Sequence, residues 1–423
     1  MSIKQLLASI CTVLLYLSLQ LTAAEPDQSS SHTSSPTLLP DTAGRIGQVV
    51  ISANSARRSA LRNSELISNI VNALPVSTKV YIIVNDPQAF TVLHNPWPDR
   101  VQFIELPFSN AITIWPQDPF LVLHQPSAAH PITLLASKAF ERAGDALMAE
   151  KIADAAGYTL KKSSLYFEGG NIVSDNEFVF IGANTVIYNA RELQQSETDV
   201  ALQFQQELGR PVMVIGPFPQ PVAHIDMMLT PLGNHRVALA DANAGAEIAE
   251  QALKNDAKSV AAFEQFCEKN FFGHPSIRTL PGSEGQKIAA PQLRGKTHEM
   301  IALSRQVAPV LDGIAASLKQ HGYRVERIPF LYGGPESHNT VDEDTGMRAT
   351  YPMLTYNNVL LEQHAGRRKV YLPRYGWPAM DLAAVDAWQK LGFEPQDIEG
   401  LAISAMYGGA LRCSVKVLEK EIL

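Results

Sequence analysis

Apolar residues fall along this chain in short runs bounded by turn-forming residues. Gln48–Ser52, Val80–Val84, Val101–Leu106, Ile132–Ala136, Val212–Ile215, Arg236–Leu239 and Val370–Leu372 predict strands. Between them, Ser55–Ala73, Lys138–Ala156, Ala244–Phe271, His298–Gln320 and Pro378–Leu391 repeat apolar positions at three and four residues, the spacing of one helix face. Strands that alternate with helices predict an α/β or α+β class. A doubly wound nucleotide-binding sheet would be one such fold, but no G-x-G-x-x-G or G-x-x-x-x-G-K-S/T run is present. Nor is there the G-x-S-x-G elbow of the common serine hydrolases.

The amino-terminal pattern differs. Lys4 precedes an apolar run from Leu6 to Leu21, and Thr22, Ala23, Ala24 and Glu25 follow. A basic start, an apolar stretch short for a membrane span and small residues before an acid predict a cleaved signal peptide over 1–24. An uncleaved anchor is the rival. The Ser-, Pro- and Thr-rich stretch 25–43 reads as a flexible linker, and 44–423 as one catalytic domain. The mature protein is then expected to be secreted or periplasmic, with no stable membrane association.

Composition narrows the chemistry. An apolar fraction of 46% and a charged fraction of 18% suit a globular protein with a sizeable core. A net charge of −7 with no basic stretch argues against nucleic acid as a partner. Cys267 and Cys413 alone would survive cleavage, which is neither a disulfide framework nor a thiolate-rich zinc site. His321 and His338 lack partners at ligand spacing, and the acidic run Val341–Gly346 lacks the spacing of an EF-hand, so no metal or other cofactor is expected. Cys267 lies beside Phe263 and Phe266 in a helical segment, which predicts a buried structural residue.

Five segments place polar or reactive groups in apolar surroundings. They are Ile112–Leu123 with Asp118, Leu165–Val173 with Glu168-Gly-Gly, His224–Leu229 with Asp226, Leu354–Leu361 with Asn357 and Asn358, and Tyr407–Val415 with Cys413. Alternation along a strand would put His224 and Asp226 on one face. Each segment alone is weak evidence, because a carboxylate in an apolar run is more often a cap or an ion-pair partner. Their order is informative: Asp, Glu, His-x-Asp, Asn, then a glycine-led Cys.

That ordered set resembles the guanidino-modifying, or pentein, superfamily of peptidylarginine, agmatine and arginine deiminases and dimethylargininases. Trp115-Pro-Gln-Asp118 is similar to the W-x-Q-D of peptidylarginine deiminases, whereas Glu168-Gly-Gly is closer to the agmatine and arginine deiminases. Arg412-Cys413 is similar to the Arg-Cys of arginine deiminases. The resemblance implies a five-bladed α/β propeller of ββαβ-type units around a central site.

The residue types suit the chemistry. A guanidinium is planar, delocalised and permanently charged, so its carbon is a poor electrophile and must be held. Paired carboxylates can fix its plane while offsetting its desolvation, a role that falls to Asp118 and Asp226. Cys413 would be the nucleophile and His224 the acid and base, with Glu168 orienting the ring. Trp115, Asn358 and Arg412 are candidate substrate contacts. The expected activity is hydrolysis of a guanidinium, in peptidyl-arginine, agmatine or arginine, to a ureido product and ammonia through a covalent thiouronium. The alternatives are an amidinotransferase of the same superfamily and a secreted binding protein without turnover.

Overall fold

The computed structural model describes residues 35–53, 59–85, 97–107, 112–126, 128–271, 296–333, 340–341, 348–349 and 352–421. One local pattern recurs through them: two antiparallel strands, a helical crossover, and a further strand parallel to the second. In the second unit Phe120–His124 pairs with Ile132–Ala136, and Thr159–Lys162 returns parallel after helices Ala143–Ala146 and Met148–Ala156. The third pairs Ile172–Ser174 with Val179–Gly182, and Val212–Ile215 returns after Ala183–Leu193 and Glu197–Leu208. The fourth pairs Leu229–Gly233 with Arg236–Asp241, and Arg324–Leu331 returns after Ala242–Asn255, Ala257–Phe271 and Lys296–Gln320. The fifth pairs Leu360–His364 with Arg367–Pro373, and Glu394–Ile398 returns after Pro378–Lys390. The first joins the chain's two ends. Lys416–Glu421 pairs with Arg45–Ala53, which then lies parallel to Lys79–Val84 beyond helix Ser59–Ala73.

Parallel pairing requires such a crossover, because a tight turn cannot reverse the chain twice. The second strand of each unit is covered on both sides, and Val179–Gly182 and Val370–Pro373 are buried throughout. In the second, third and fifth units the returning strand lies outermost, and Thr159–Lys162 is exposed at every position, ending in two lysines that discourage edge pairing. The fold is mixed α/β, as expected. Its five main sheets are separate, and none closes on itself.

Several expected elements differ at their ends. The helix expected over Lys138–Ala156 starts only at Ala143 and breaks at Leu147, because Arg142 stays extended and turns its side chain onto Asp145. Ala244–Phe271 is two helices: Asp256 leaves helical geometry and its carboxylate accepts from the Ser259 N–H, a capping role that Asp favours. Helix Glu197–Leu208 was not foreseen, although Ser196 caps it and Val200, Phe204 and Leu208 form a buried stripe. The linker expected over 25–43 is shorter at its carboxyl end. Thr37–Leu38 is a strand antiparallel to Phe120–His124, and Gly44 exchanges backbone hydrogen bonds with Gln363. The apolar run Leu6–Leu21, the acidic residues 342–346 and His338 lie outside the described residues. Among the described residues, no helix is long and apolar enough to cross a membrane.

Close packing of helix on sheet fixes one glycine. A Cβ on Gly245, in helix Ala242–Asn255, would stand 2.0 Å from the Phe330 carbonyl oxygen. Gly245→Ala must therefore push helix from strand, an overpacking that costs roughly 1–3 kcal/mol. The expected result is a lower midpoint in urea unfolding, whereas Gly313→Ala, in a helix interior where the added Cβ meets nothing, should raise it slightly.

Candidate active site

The five sequence segments occupy equivalent places. Each runs directly into the first strand of its unit: Asp118 before Phe120, Glu168 before Ile172, Asp226 before Leu229, Asn358 before Leu360 and Cys413 before Lys416. Direct contacts link these loops. His224 meets Glu168, its Nε2 standing 2.8 Å from Oε2, and its Nδ1 lies 3.8 Å from Asp118 Oδ1. Cys413 Sγ lies 4.0 Å from Asp226 Oδ2.

His224 and Asp226 do not share a strand face, contrary to expectation. His224 is extended and caps a 3-10 turn over Ile225–Met227, whose buried Ile225 N–H is received by Asn171 Oδ1 at 3.0 Å. The turn separates the two side chains, sending one toward Glu168 and the other toward Cys413. Both glycines after Glu168 are required by close approach. A Cβ on Gly169 would stand 2.2 Å from the Gln117 carbonyl oxygen, and one on Gly170 would stand 2.4 Å from His224 Nδ1. Gly409 likewise makes room for the Trp115 ring, which a Cβ would meet at 2.5 Å.

Cys413 is buried on the short helix Leu411–Ser414. Asn358 is devoted to it: its Oδ1 accepts from the Cys413 N–H at 3.1 Å and its Nδ2 lies 3.2 Å from Sγ. The structure therefore makes Asn358 a support for the thiol rather than the substrate contact expected from the sequence. Arg412 is corrected too. It is buried, with Nη1 donating to Asp226 Oδ2 at 2.9 Å and Nε donating to Asp41 Oδ1 at 3.0 Å, so its guanidinium is engaged within the protein. Asn357 points elsewhere, donating to the Ala238 carbonyl.

Arg142 gave no signal in the sequence and is central here. It donates to Asp118 Oδ2 at 2.8 Å, Glu168 Oε1 at 3.3 Å and Asp145 Oδ2 at 2.7 Å. Asp145 is held in turn by the N–H and hydroxyl of Thr113. Asp118, Glu168 and His224 bring donor atoms within 4.8 Å of one another, but a guanidinium already spans the two carboxylates. Asp118 and Asp226 thus share one pattern. Each buried carboxylate gives Oδ2 to an internal arginine, while no donor among the described residues reaches its buried Oδ1.

Ionisation follows from this crowding of charge. Burial opposes a charged His224, yet Asp118, Glu168 and Asp226 outweigh it and raise the imidazole to about 10. Burial would raise Glu168, but the hydrogen bond and charge of His224, then Arg142, bring it down to about 2. Burial, then Asp226 and Asp118, push the Cys413 thiol well above its ordinary range. Burial and Arg412 lower Lys416, whose Nζ donates to the Gln117 carbonyl, to about 7. At neutral pH the site therefore holds an imidazolium and a neutral thiol. Cys267 is buried in its helix, as expected, and its thiol is pushed up to about 12 by burial and Glu264.

An α/β fold of this kind, with Asp, Glu, His-x-Asp, Asn and Cys brought together from successive loops, is that of the guanidino-modifying superfamily. Within it, the chain belongs to the Porphyromonas-type peptidyl-arginine deiminase family, whose model matches residues 51–416. Among solved structures it is similar to the agmatine deiminase of C. jejuni, at 13% identity, covering 92% of this chain and 98% of that one with a TM-score of 0.58. It is also similar to the agmatine deiminase of Enterococcus faecalis, at 14% identity, covering 91% and 96% with a TM-score of 0.60. No curated protein matches the chain in sequence.

The charge state of His224 is directly measurable. The raised imidazole stabilises the fold fully below the unfolded value of about 6.5. That contribution fades as pH rises through about 10. The ring signals of His224 in NMR should stay those of an imidazolium from pH 6 to 8 and move only in the alkaline range. Glu168→Gln removes a charge that supports the imidazolium, so the transition should shift to lower pH.

Proposed function

We propose that the protein is an exported deiminase that hydrolyses the guanidinium of arginine held in a peptide, giving a ureido side chain and ammonia. The observation that carries this reading is the pair of buried carboxylates, Asp118 and Asp226. Each is anchored by an arginine at one oxygen and lacks a hydrogen-bond donor at the other, His224 Nδ1 standing off that of Asp118 at 3.8 Å, and Asp226 lies 4.0 Å from the buried Cys413 sulfur. A planar cation with parallel N–H groups satisfies both open oxygens at once. The family match supports peptide-bound arginine over agmatine, and the amino-terminal apolar run supports export. The five repeated units support a propeller of five blades around this site.

The reaction follows from the ionisation states. The bound guanidinium brings a positive charge beside Cys413, which lowers the cost of the thiolate, and the proton passes to solvent. The thiolate attacks the guanidinium carbon and forms a C–S bond. His224, already an imidazolium, protonates one nitrogen of the tetrahedral adduct, and ammonia leaves a thiouronium. The neutral imidazole then takes a proton from water, which adds to the same carbon. Collapse breaks the C–S bond and restores the thiolate and the ureido product. Glu168 keeps the ring turned toward its work, and Asn358 holds the sulfur.

An assay of ammonia and ureido product tests this, using a peptidyl-arginine, free arginine and agmatine. The peptide should be turned over fastest. Cys413→Ala should abolish turnover, and Cys267→Ala should leave it intact. Asp226→Asn should lower kcat/KM by a factor of roughly 10² to 10⁴, since stripping one partner from a buried cation costs about 3–5 kcal/mol. Substrate loss without ammonia would instead indicate transfer of the amidino group to an amine.

Substrate-assisted activation makes a separate prediction. Alkylation of Cys413 by neutral iodoacetamide should be slow at pH 7 and accelerate steeply above it, because the thiol is raised. A cationic haloacetamidine should react much faster at pH 7. A fast, flat iodoacetamide profile from pH 6 would show a preformed thiolate and overturn this account.

A further inference from the structure

The segment before the first long strand is stitched across several units. Leu39 N–H donates to the Val122 carbonyl at 2.8 Å, and Asp41 N–H donates to the Ser174 carbonyl at 2.9 Å. Ser174 N–H returns a bond to Asp41 Oδ2 at 2.8 Å. Arg210 donates to Thr37 Oγ1 and to the Leu38 carbonyl, and Lys420 donates to the Asp41 carbonyl. Leu38, Leu39 and Asp41 also line a small interior cavity with Arg412, Lys416 and Lys420. All of this strap precedes residue 51, where the family match begins. It lies outside the matched region, yet it reaches the site.

Asp41 is the point of contact. Its Oδ1 accepts from Nε of Arg412, whose Nη1 donates to Asp226 Oδ2, which lies 4.0 Å from the Cys413 sulfur. An arginine facing a single carboxylate prefers two parallel N–H bonds to both oxygens. Here Asp41 holds Nε on the far side, the Ile172 carbonyl accepts from Nη2 at 3.1 Å, and the Gly169 carbonyl lies 3.5 Å from Nη1. Arg412 is thereby limited to one oxygen of Asp226.

We propose that Asp41 is a positioning residue for the reaction: by holding Arg412 to a single oxygen of Asp226, it keeps the other oxygen open for the substrate's guanidinium. Without it, the protein's own arginine turns to chelate Asp226 and competes with the substrate for the same acceptor. The inference rests on the proposed reading of Asp226 as a clamp. It adds that a residue outside the family-matched region sets how well that clamp accepts a cation.

The test compares Asp41→Ala and Asp41→Asn with the parent protein, reading KM and kcat for a peptidyl-arginine together with thermal unfolding. Losing one charge-assisted bond to substrate, worth about 1.5–3 kcal/mol, should raise KM about ten- to a hundredfold with a smaller fall in kcat. Asp41→Asn keeps an acceptor for Nε and should recover part of the KM. The titratable and charged groups around Asp226 are Arg412, His224, Asp118, Lys416 and the Cys413 thiol. Labelling of Cys413 therefore gives a second readout that needs no turnover. In Asp41→Ala the cationic haloacetamidine should slow about tenfold or more relative to iodoacetamide, for the same reason. A KM within twofold of the parent, a kcat loss with unchanged KM, or equal slowing of both reagents would each overturn the proposal. If the parent turns over no guanidino substrate while the labelling ratio still falls, the proposed activity fails and the role of Asp41 stands.

Discussion

The site depends on a partial pairing of buried charge. Asp118 and Asp226 are taken out of water, and a buried carboxylate without a partner would take up a proton. Arg142 and Arg412 occupy one oxygen each, and Arg412 pulls Asp226 down against the burial that raises it. Full pairing would be more comfortable and useless, since no acceptor would remain for a second cation. The arginines themselves need further carboxylates, Asp145 and Glu168 for one and Asp41 for the other. Charge therefore alternates outward from the thiol, and removing any member loads the next.

That alternation explains why so much of the fold must be assembled before the site exists. Each unit contributes a loop at the same structural position, just ahead of its first strand. No unit holds more than a fragment of the chemistry. The thiol comes with the last strand, Lys416–Glu421, which pairs with Arg45–Ala53 near the start of the fold. The place of the Cys413 thiol thus relies on pairing between these two strands, and the strap at Asp41 reinforces the same junction through Lys420.

The shared loop position is also why the five segments were legible in the sequence. A short strand follows each of these residues within four positions, apolar in every unit except the one after Cys413, so a polar side chain stands out against it. The same argument shows what was hidden. Arg142 lies in Phe140-Glu-Arg142, a stretch with helix-like composition, and nothing local marks it as the partner of Asp118. Asp41 lies in a segment whose Ser, Pro and Thr content reads as linker, and its value comes from contacts 371 residues away. The turn at Ile225–Met227 was misread because H-x-D alternation also fits a strand, and only the Asn171 side chain, from another unit, selects the 3-10 form. Lys416 was detectable, being a charge within the run Val415–Val417, but an apolar run alone does not say that it is buried beneath Gln117. Local patterns marked the groups that break the core's apolar rule. The groups that make breaking it tolerable are distant in sequence.

Charge balance connects this architecture to selectivity. The resting site holds an imidazolium at His224, with Asp118 and Asp226 each open at one oxygen beside a neutral thiol. A neutral ligand of the same shape would leave those oxygens without donors and the thiol protonated. It would fail both to bind and to be attacked. A compact cation such as an ammonium could meet one carboxylate as a point charge, but it offers no plane of N–H groups and no electrophilic carbon to the sulfur. A guanidinium meets both demands, because the charge that draws it between the aspartates also makes the thiolate affordable. On the proposed reading, recognition and activation are one electrostatic event, and Cys413 becomes a thiolate only while the molecule it would attack is in place.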